Sequence, residues 1–471
     1  MDIFSFMRRT TGLFFLLPVM LAQNSCATGA VLSRKTPDPI QFAPGDRILV
    51  LAPHPDDEAL GCAGVILEAL SRHLPVRVVY FTNGDNNELS FLLYRKHPVV
   101  VPSAVQLMGE IRSREAVAAA GTLGLSEADI VFLGYPDFGT LRIWEAHWRE
   151  APPYRAMLTR ATQVAYTNAL SPGSAFKGES IISDLTRVFR EFRPTRIFVS
   201  HPSDANPDHM ALYLFTQVAL RDLEAEMTPS VHPYLVHFPR WPVPHAFAPE
   251  QRLDAPEIYD NDISWRDVPL GASGLDLKRK AVEAHRSQYA YSSKLLLSFV
   301  RRNEIFGDFP TVDLTPAQGG NGTSVENDAP EARQPENLTN EERDKYTGMA
   351  ERRMRIENGD LVIALKLTRP LSPVLQCSTF CFGYKKGRPF PDMPKLRIDV
   401  GAAGMACFDN DRQIARQPVS VSRNGKELVV RVPLSVLGEP DLLMTSTRLY
   451  MLEIPFDWLP WRTLKVGPER R

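Results

Sequence analysis

The chain has 471 residues, with 54 basic and 55 acidic side chains and a formal charge of −1. This balance gives no electrostatic attraction to phosphates, so nucleic acid is excluded as a predicted partner. At 44% hydrophobic and 23% charged residues, the composition is that of a globular protein of two or three domains, which excludes wholesale disorder or a fibrous repeat. The five cysteines form no paired CxxC elements, so any bound metal is expected to have nitrogen and oxygen ligands.

The N-terminal residues predict export. Two arginines precede an apolar stretch at 12–22, which is too short to span about 30 Å of hydrocarbon as a helix. Residues 1–27 are therefore predicted to be an export signal cleaved after Ala27, which places the protein in the periplasm or cell envelope. The alternative is a lipid attached to Cys26, which would associate the protein with a membrane; Gln23 stands where such sites usually carry an aliphatic residue.

The segment 45–310 alternates short β-branched runs with amphipathic stretches, a pattern typical of parallel strands joined by crossover helices. Gly124 and Pro194 supply helix stops. We predict a Rossmann-like three-layer α/β/α sandwich. Its predicted strands are 47–51, 76–81, 130–133 and 196–199, and its predicted helices include one opening at 59–64 and others at 111–123 and 180–192.

The C-terminal part has a different composition. Residues 316–345 are rich in glycine, proline, asparagine and acids with few aliphatics, so they are predicted to be a flexible linker. Residues 346–471 are predicted to form an all-β, sandwich-like accessory domain, with a tight hairpin at Asn424-Gly425. Trp458 and Trp461 are expected to pack in its core or at an interface, with a sugar-stacking platform as the alternative. The predicted strands here are 361–367, 395–400, 419–423 and 427–432.

Residues suited to metal chemistry follow the first predicted strand, where His54 is followed by Pro55 and three acids. Ligands of open α/β sheets bind outside the carboxyl ends of the strands. His54 and Asp57 are suitable Zn²⁺ ligands, a third ligand would leave one position open, and Asp56 between them would face that position. The alternative is that these acids only cap a helix N-terminus, where they contribute about 0.3–1 kcal/mol.

A second group, at 201–209, follows the strand that ends at Ser200 and again leads into a helix. Two loops at the carboxyl ends of neighbouring strands can converge on one metal. A histidine at a helix start is often structural, but the repeated context favours His209 as a ligand.

These residues resemble the PIG-L/LmbE-like family of zinc-dependent N-deacetylases, which remove acetyl groups from N-acetylglucosaminyl lipids, thiol-sugar conjugates and related glycans. The resemblance covers roughly 45–306 and leaves the β domain unexplained. It rests on His-Pro-Asp-Asp-Glu at 54–58, Arg112-x-x-Glu115, Phe-Leu-Gly-Tyr-Pro-Asp at 132–137, Pro-Asp-His at 207–209 and Ala-His-Arg-Ser-Gln at 284–288.

The resemblance implies that His54, Asp57 and His209 bind Zn²⁺ or another divalent metal. It implies that Asp56 is the general base that takes a proton from the attacking water.

The resemblance also implies that Arg112 and Asp137 form or hold the substrate site. From the residues alone, Arg112 could instead be an exposed helical arginine paired with Glu115, and Asp137 could be a turn former. For His285, a structural role is at least as well supported by the sequence as a catalytic role.

The chain departs from the family at Asn206, where many relatives carry histidine. Asparagine can donate a hydrogen bond but cannot carry a proton, so Asn206 is expected to stabilise an oxyanion rather than act as an acid. Asp208 is expected to orient a metal-ligating histidine, and His201 is a candidate substrate-site substitute for the missing histidine.

The sequence therefore predicts an exported zinc hydrolase that removes the N-acetyl group from an amino-sugar glycan or glycoconjugate. The alternative is an envelope glycan-binding protein that keeps the metal but has lost turnover. The oligomeric state is left open.

Overall fold

The computed structural model describes residues 37–86, 101–256, 263–314, 323–327, 346–415, 418–451 and 454–466. The predicted export signal and Cys26 lie outside the described residues. Over the described ranges, no helix has the length and apolar character needed to cross a bilayer.

The α/β part contains, in the described residues, eight strands of one sheet. They are β1 (Asp38–Pro39), β2 (Ile48–Ala52), β3 (Val76–Thr82), β4 (Ile130–Tyr135), β5 (Arg196–Ser200), β6 (Ser230–Tyr234), β7 (Trp265–Pro269) and β8 (Asn303–Gly307). The helices are α1 (Asp57–Gly61), α2 (Ala63–Ser71), α3 (Pro102–Thr122), α4 (Thr140–Ala146), α5 (Gly178–Phe192), α6 (Pro207–Asp222), α7 (Ala272–Ala284) and α8 (Arg286–Leu297). All four predicted strands are confirmed.

The helix predicted at 111–123 begins earlier, at Pro102, which occupies its first turn. Proline fits this position because its missing N–H would have no partner there. Pro102 and Ser103 are exposed, so no apolar periodicity marks the start of this helix in the sequence.

Two apolar cores cover the two faces of the sheet, as a three-layer sandwich requires. In β2, Leu49 and Leu51 face the core formed with α4, α5 and α6, whereas Ile48 and Val50 face the core formed with the remaining helices. Side chains of a strand alternate between faces, and a fully buried strand is apolar on both. The three layers are therefore present.

The sheet is mixed rather than parallel, which corrects the prediction. Its order is β1-β7-β8-β6-β5-β2-β3-β4, and β8 runs antiparallel to both of its neighbours. The chain moves outward from β2 through β3 and β4, then returns to the other side of β2 with β5. The strand order thus reverses between β2 and β5, and a crevice at the carboxyl ends of these strands is the usual ligand site of such sheets.

The C-terminal part is a β-sandwich, as predicted. In the described residues, a five-stranded sheet has the order β10-β11-β12-β18-β17 and a seven-stranded sheet the order β16-β15-β14-β13-β19-β20-β9. Leucine, isoleucine, valine, methionine and cysteine side chains from both sheets fill the space between them. The strands are β9 (Val312–Asp313), β10 (Thr323–Asn327), β11 (Met349–Glu357), β12 (Asp360–Leu367), β13 (Leu375–Tyr384), β14 (Lys395–Gly401), β15 (Gly404–Asp409), β16 (Arg412–Ile414), β17 (Ser420–Asn424), β18 (Glu427–Pro433), β19 (Leu442–Met451) and β20 (Ile454–Lys465).

The hairpin predicted at Asn424-Gly425 is confirmed, since it joins the paired strands β17 and β18 and Gly425 adopts a φ of 58°. The predicted linker 316–345 is wrong in one stretch, because β10 lies within it and pairs antiparallel with β11. An edge strand obtains backbone hydrogen bonds from its neighbour and does not need the aliphatic side chains whose scarcity suggested a linker.

The outer face of the seven-stranded sheet packs on the α/β part. Phe382, Phe390 and Trp461 surround Trp144 of α4, with ring centroids 5.7, 5.2 and 5.9 Å away. Trp461 is buried there, which confirms its predicted interface packing.

Candidate metal centre

The loop after β2 is held in a conformation that is rare for a residue with a side chain. Asp56 has a φ of 148°, and it precedes α1 without making a side-chain capping hydrogen bond. Its backbone N–H donates to Glu58 Oε2 over 3.1 Å, and Glu58 Oε1 lies 2.8 Å from His285 Nε2. Such strain typically costs about 1–3 kcal/mol and persists at functional sites. For Asp56, the capping alternative is therefore wrong, and His285 supports the loop through Glu58.

The loop after β5 places His209 in the first turn of α6. Asn206 is the N-cap and accepts a hydrogen bond from the Asp208 N–H over 2.9 Å, and Pro207 follows it. On the far side of the imidazole ring, His209 Nδ1 lies 3.1 Å from Asp204 Oδ2. Asp204 also accepts the backbone N–H groups of Val236 and His237.

The two loops bring their predicted ligands together. His54 Nδ1 and Asp57 Oδ2 are 3.2 Å apart, Asp57 Oδ2 and His209 Nε2 are 3.1 Å apart, and the two imidazole nitrogens are 3.3 Å apart. Ligands that each lie about 2.0–2.1 Å from a tetrahedral zinc ion are about 3.3 Å from one another. The three donors therefore have the spacing of one face of a zinc tetrahedron.

The chemistry of this donor set also fits a divalent cation. Asp57 Oδ1 is buried and makes no hydrogen bond to the residues that the structure describes. Burial opposes ionisation of Asp57, but the imidazoles of His209 and His54 hold the pKa of its carboxyl well below the usual value. His237 offers a further nitrogen, and its ligand atom and the other three all lie within 4.8 Å of one another.

The other nitrogen of His54 faces two carboxylates. Nε2 lies 3.2 Å from Asp137 Oδ1 and 3.2 Å from Asp208 Oδ2. Asp208 in turn accepts hydrogen bonds from the N–H groups of Phe138 and Thr140 and from the Thr140 hydroxyl. Asp208 thus orients His54, the ligand from the other loop, rather than its sequence neighbour. Such carboxylate–histidine contacts fix the ring orientation of a ligand.

Arg112 is buried beside the candidate base. Its guanidinium donates to the carbonyls of Gly84 and Pro55, each over 2.9 Å, and lies 3.4 Å from Asp56 Oδ2. The alternative of an exposed Arg112 paired with Glu115 is wrong, since Glu115 accepts hydrogen bonds from Ser287 instead. A side chain at Gly84, whose φ is 64°, would collide with this guanidinium.

Burial raises the pKa of Asp56 to about 6, against the opposing charge of Arg112. Asp56 is thus predominantly ionised at neutral pH, yet its pKa is close enough to that pH for proton exchange.

Two predicted residues have roles that the sequence did not indicate. His201 is fully buried, accepts the Ser203 N–H at Nδ1 and stacks on Trp265. These contacts give it a structural role, and its contact with substrate stays a prediction. Asn206 uses its side-chain oxygen as a helix cap, and its catalytic role stays a prediction.

Sequence reasoning missed two members of the site. Asp204 lies in the same loop as His209. An acidic residue in the loop before a proposed histidine ligand could have been recognised in the sequence as a partner of that histidine. His237 follows β6, a strand that carries no motif, and only the pairing of β5 with β6 brings it to the crevice.

The fold and donor set define a class of protein: an α/β protein with a His-Asp-His group that could hold a metal ion at the reversal of strand order. Residues 49–220 match the family model described as "PIG-L: GlcNAc-PI de-N-acetylase". This match over residues 49–220 confirms the resemblance to the PIG-L family noted in the sequence.

Individual relatives extend the match. The chain is 24% identical over 261 residues to a 1D-myo-inositol 2-acetamido-2-deoxy-alpha-D-glucopyranoside deacetylase of Rhodococcus jostii (strain RHA1), covering 51% of this chain and 81% of that protein. The same enzyme of Mycobacterium sp. (strain KMS) is 26% identical, covering 57% and 82%. Among solved structures, the N,N'-diacetylchitobiose deacetylase from Pyrococcus horikoshii is similar at 20% identity, 55% and 82% coverage and a TM-score of 0.34.

Proposed function

We propose that this protein is a zinc-dependent deacetylase that hydrolyses the N-acetyl group of an N-acetylglucosamine-type sugar or glycoconjugate. The observation that carries the proposal is the triangle of His54 Nδ1, Asp57 Oδ2 and His209 Nε2, with sides of 3.1–3.3 Å, beside a half-buried Asp56. Two relatives that match this part of the chain are named as deacetylases of an acetamido sugar.

Each residue has a defined part in the reaction. His54, Asp57 and His209 would hold the ion, which when bound polarises an amide carbonyl and makes water more acidic. Asp56 accepts the proton of the attacking water and returns it to the departing amine. Arg112 holds the Asp56 loop through the carbonyl of Pro55 and keeps the Asp56 carboxyl oriented. His237, beside the three donors, is the side chain best placed to donate a hydrogen bond to the developing oxyanion.

A cavity of about 170 Å³ near Asp137 is the proposed position of the sugar. Pro136, one residue before Asp137, lines it together with Asp85 and Tyr166, and the Tyr166 hydroxyl donates to Asp85 over 2.6 Å. A carboxyl and a phenol in one wall suit the hydroxyl groups of a sugar, which both donate and accept hydrogen bonds.

Acetate release from N-acetylglucosamine and N,N'-diacetylchitobiose by the purified full chain, with one Zn²⁺ per chain, tests the proposal. Asp56→Asn is expected to lower kcat by about 10²–10⁴-fold while metal content stays the same, because a positioned base contributes that much. Asp276→Asn, an exposed helical carboxyl, is the matched control and should leave kcat unchanged.

Stoichiometric metal without acetate release from any N-acetylated sugar would instead support the alternative, a glycan-binding protein that has lost turnover. Release that is unaffected by Asp56→Asn would contradict the assigned base. Replacing Zn²⁺ with Co²⁺ or Mn²⁺ in the same assay identifies the metal that supports the highest rate.

We also propose that the protein is exported, which is supported by the two arginines and the apolar stretch 12–22. Mass spectrometry of the protein from the membrane and soluble fractions of an expressing bacterium tests this. A chain starting at 28 would indicate cleavage, and a lipid-sized mass on Cys26 would indicate anchoring.

A further inference from the structure

We propose that the C-terminal β-sandwich is a positioning element of the metal centre and acts through helix α4. The inference rests on the metal site of the proposed function and goes beyond it, because it gives the accessory domain a role in that site. The proposal rests on the observation that the first turn of α4 contacts the metal centre and its last turn contacts the seven-stranded sheet.

The first turn of α4 contacts the metal centre. The Thr140 N–H donates to Asp208 Oδ1 over 3.1 Å, the Thr140 hydroxyl donates to the same oxygen, and the Phe138 N–H donates to Oδ2. Asp208 Oδ2 lies 3.2 Å from His54 Nε2. The position of this turn therefore sets the position of a carboxylate that orients a ligand.

The last turn of α4 is bound to the sandwich by a buried ion pair. Arg448 of β19 donates to Glu145 Oε1, and these side chains are 9% and 3% exposed. Arg142 donates to the other oxygen of Glu145 over 3.0 Å and to Asp411, in the turn between β15 and β16, over 2.7 Å. A buried charge that loses its partner is costly, so this contact strongly constrains where the helix lies.

Aromatic packing completes the attachment. Trp144 is fully buried, and three of its ring neighbours, Phe382, Phe390 and Trp461, come from the sandwich. Its neighbours within the α/β part are Trp148 and Phe215. The largest side chain of α4 thus has three of its five aromatic neighbours in the sandwich.

The length of α4 makes this attachment consequential. The helix has seven residues, and helices of that length are not stable without tertiary contacts. Without the sandwich, α4 would lose Arg448 and three aromatic contacts, and the donors to Asp208 would no longer be held. The sandwich is thereby an integral support of the site.

A double-mutant cycle on the full chain tests this with Co²⁺ as the probe, read by its d–d absorption and by chelator competition. Thr140→Val removes one donor to Asp208 and is expected to weaken Co²⁺ binding about 10–100-fold, the usual effect of losing a partner of a ligand. Arg448→Met is expected to weaken it about 2–30-fold, the range for residues that act through a neighbour, and to alter the absorption spectrum.

Because both changes act on the donors to Asp208, the loss of Co²⁺ affinity in the double variant should be smaller than the sum of the two single losses in free energy. The control is Tyr384→Phe, which removes a hydrogen bond from the sandwich to Asp222 at the far end of α6 and should leave the spectrum unchanged. Glu145→Gln removes the other partner of the same ion pair, and it replaces Arg448→Met in the cycle if that variant does not fold. Arg448→Lys should restore part of the affinity.

Spectra and affinities of Arg448→Met and Glu145→Gln that match those of Tyr384→Phe would overturn the inference, as would fully additive losses in the double variant. These outcomes leave the proposed function intact if the wild-type chain binds Co²⁺. A wild-type chain that binds no Co²⁺ would instead overturn the metal site itself.

Discussion

The α/β part and the β-sandwich of this molecule bury different kinds of side chain. The space between the two sheets of the sandwich is filled by aliphatic and sulfur-containing side chains. The α/β part instead buries two histidines and three aspartates, linked to one another by contacts of 3.1–3.3 Å, after the ends of three strands, β2, β4 and β5. Two buried cations of the sandwich, Lys395 and Arg448, lie toward the α/β part. These two cations are thus buried where the contact between the two parts provides partners for them.

The largest expected effect comes from removing a charged donor of the metal centre. Asp57→Asn keeps the shape of the side chain but removes the charge that lies between His54 and His209. We expect metal affinity to fall by more than about 100-fold. This exceeds the loss of about 10–100-fold that is usual when a residue hydrogen-bonded to a metal ligand is replaced. Metal content after dialysis measures this, and Asp276→Asn is the control. Full retention of metal by Asp57→Asn would contradict the assignment.

A pair of truncations sharpens the comparison between the two parts. Ile363→Ala in the sandwich and Leu51→Ala in β2 each empty part of a fully buried site and are expected to lower the free energy of unfolding by about 2–5 kcal/mol. Only Leu51→Ala should also weaken Co²⁺ binding, because Leu51 lies three residues before His54, whereas Ile363 faces the core between the sheets. Denaturant unfolding and chelator competition measure the two effects. Equal losses of Co²⁺ affinity would show that the inner core of the sandwich also determines the site.

The smallest effect is a pH dependence at the domain contact. Burial lowers the pKa of Lys395 to about 7, although its ammonium donates to the carbonyls of Phe390 and Met393 over 2.6 and 2.7 Å. The unfolded chain, with a lysine pKa near its usual value of about 10.4, binds more protons above pH 7, so stability rises with pH in this window.

Wild type should therefore gain about 2 kcal/mol of unfolding free energy relative to Lys395→Met between pH 7 and pH 9. Urea unfolding at both pH values measures the difference. Parallel pH profiles would mean that Lys395 stays charged when folded.

The site was predictable where its residues are close in the chain. His54, Asp56 and Asp57 share one loop, and the alternation of strand and helix places that loop at a sheet edge. Asp204 and His237 were missed because their role depends on the pairing of β5 with β6 and on folding of the loops that follow. The packing of His201 on Trp265 could not be predicted, because nothing in its motif shows that the core encloses the ring.

The amino-acid sequence by itself determined four of the eight described strands of the α/β part, the β-rich character of the C-terminal part and the three side chains proposed as metal donors. These depend on periodicity, turn residues and short spacings, which are local properties of the chain. Only the tertiary structure decided that the sheet is mixed, that Asp208 orients His54, and that Glu145 of α4 meets Arg448 of the sandwich. Those contacts join residues far apart in the chain, and packing of whole elements brings them together.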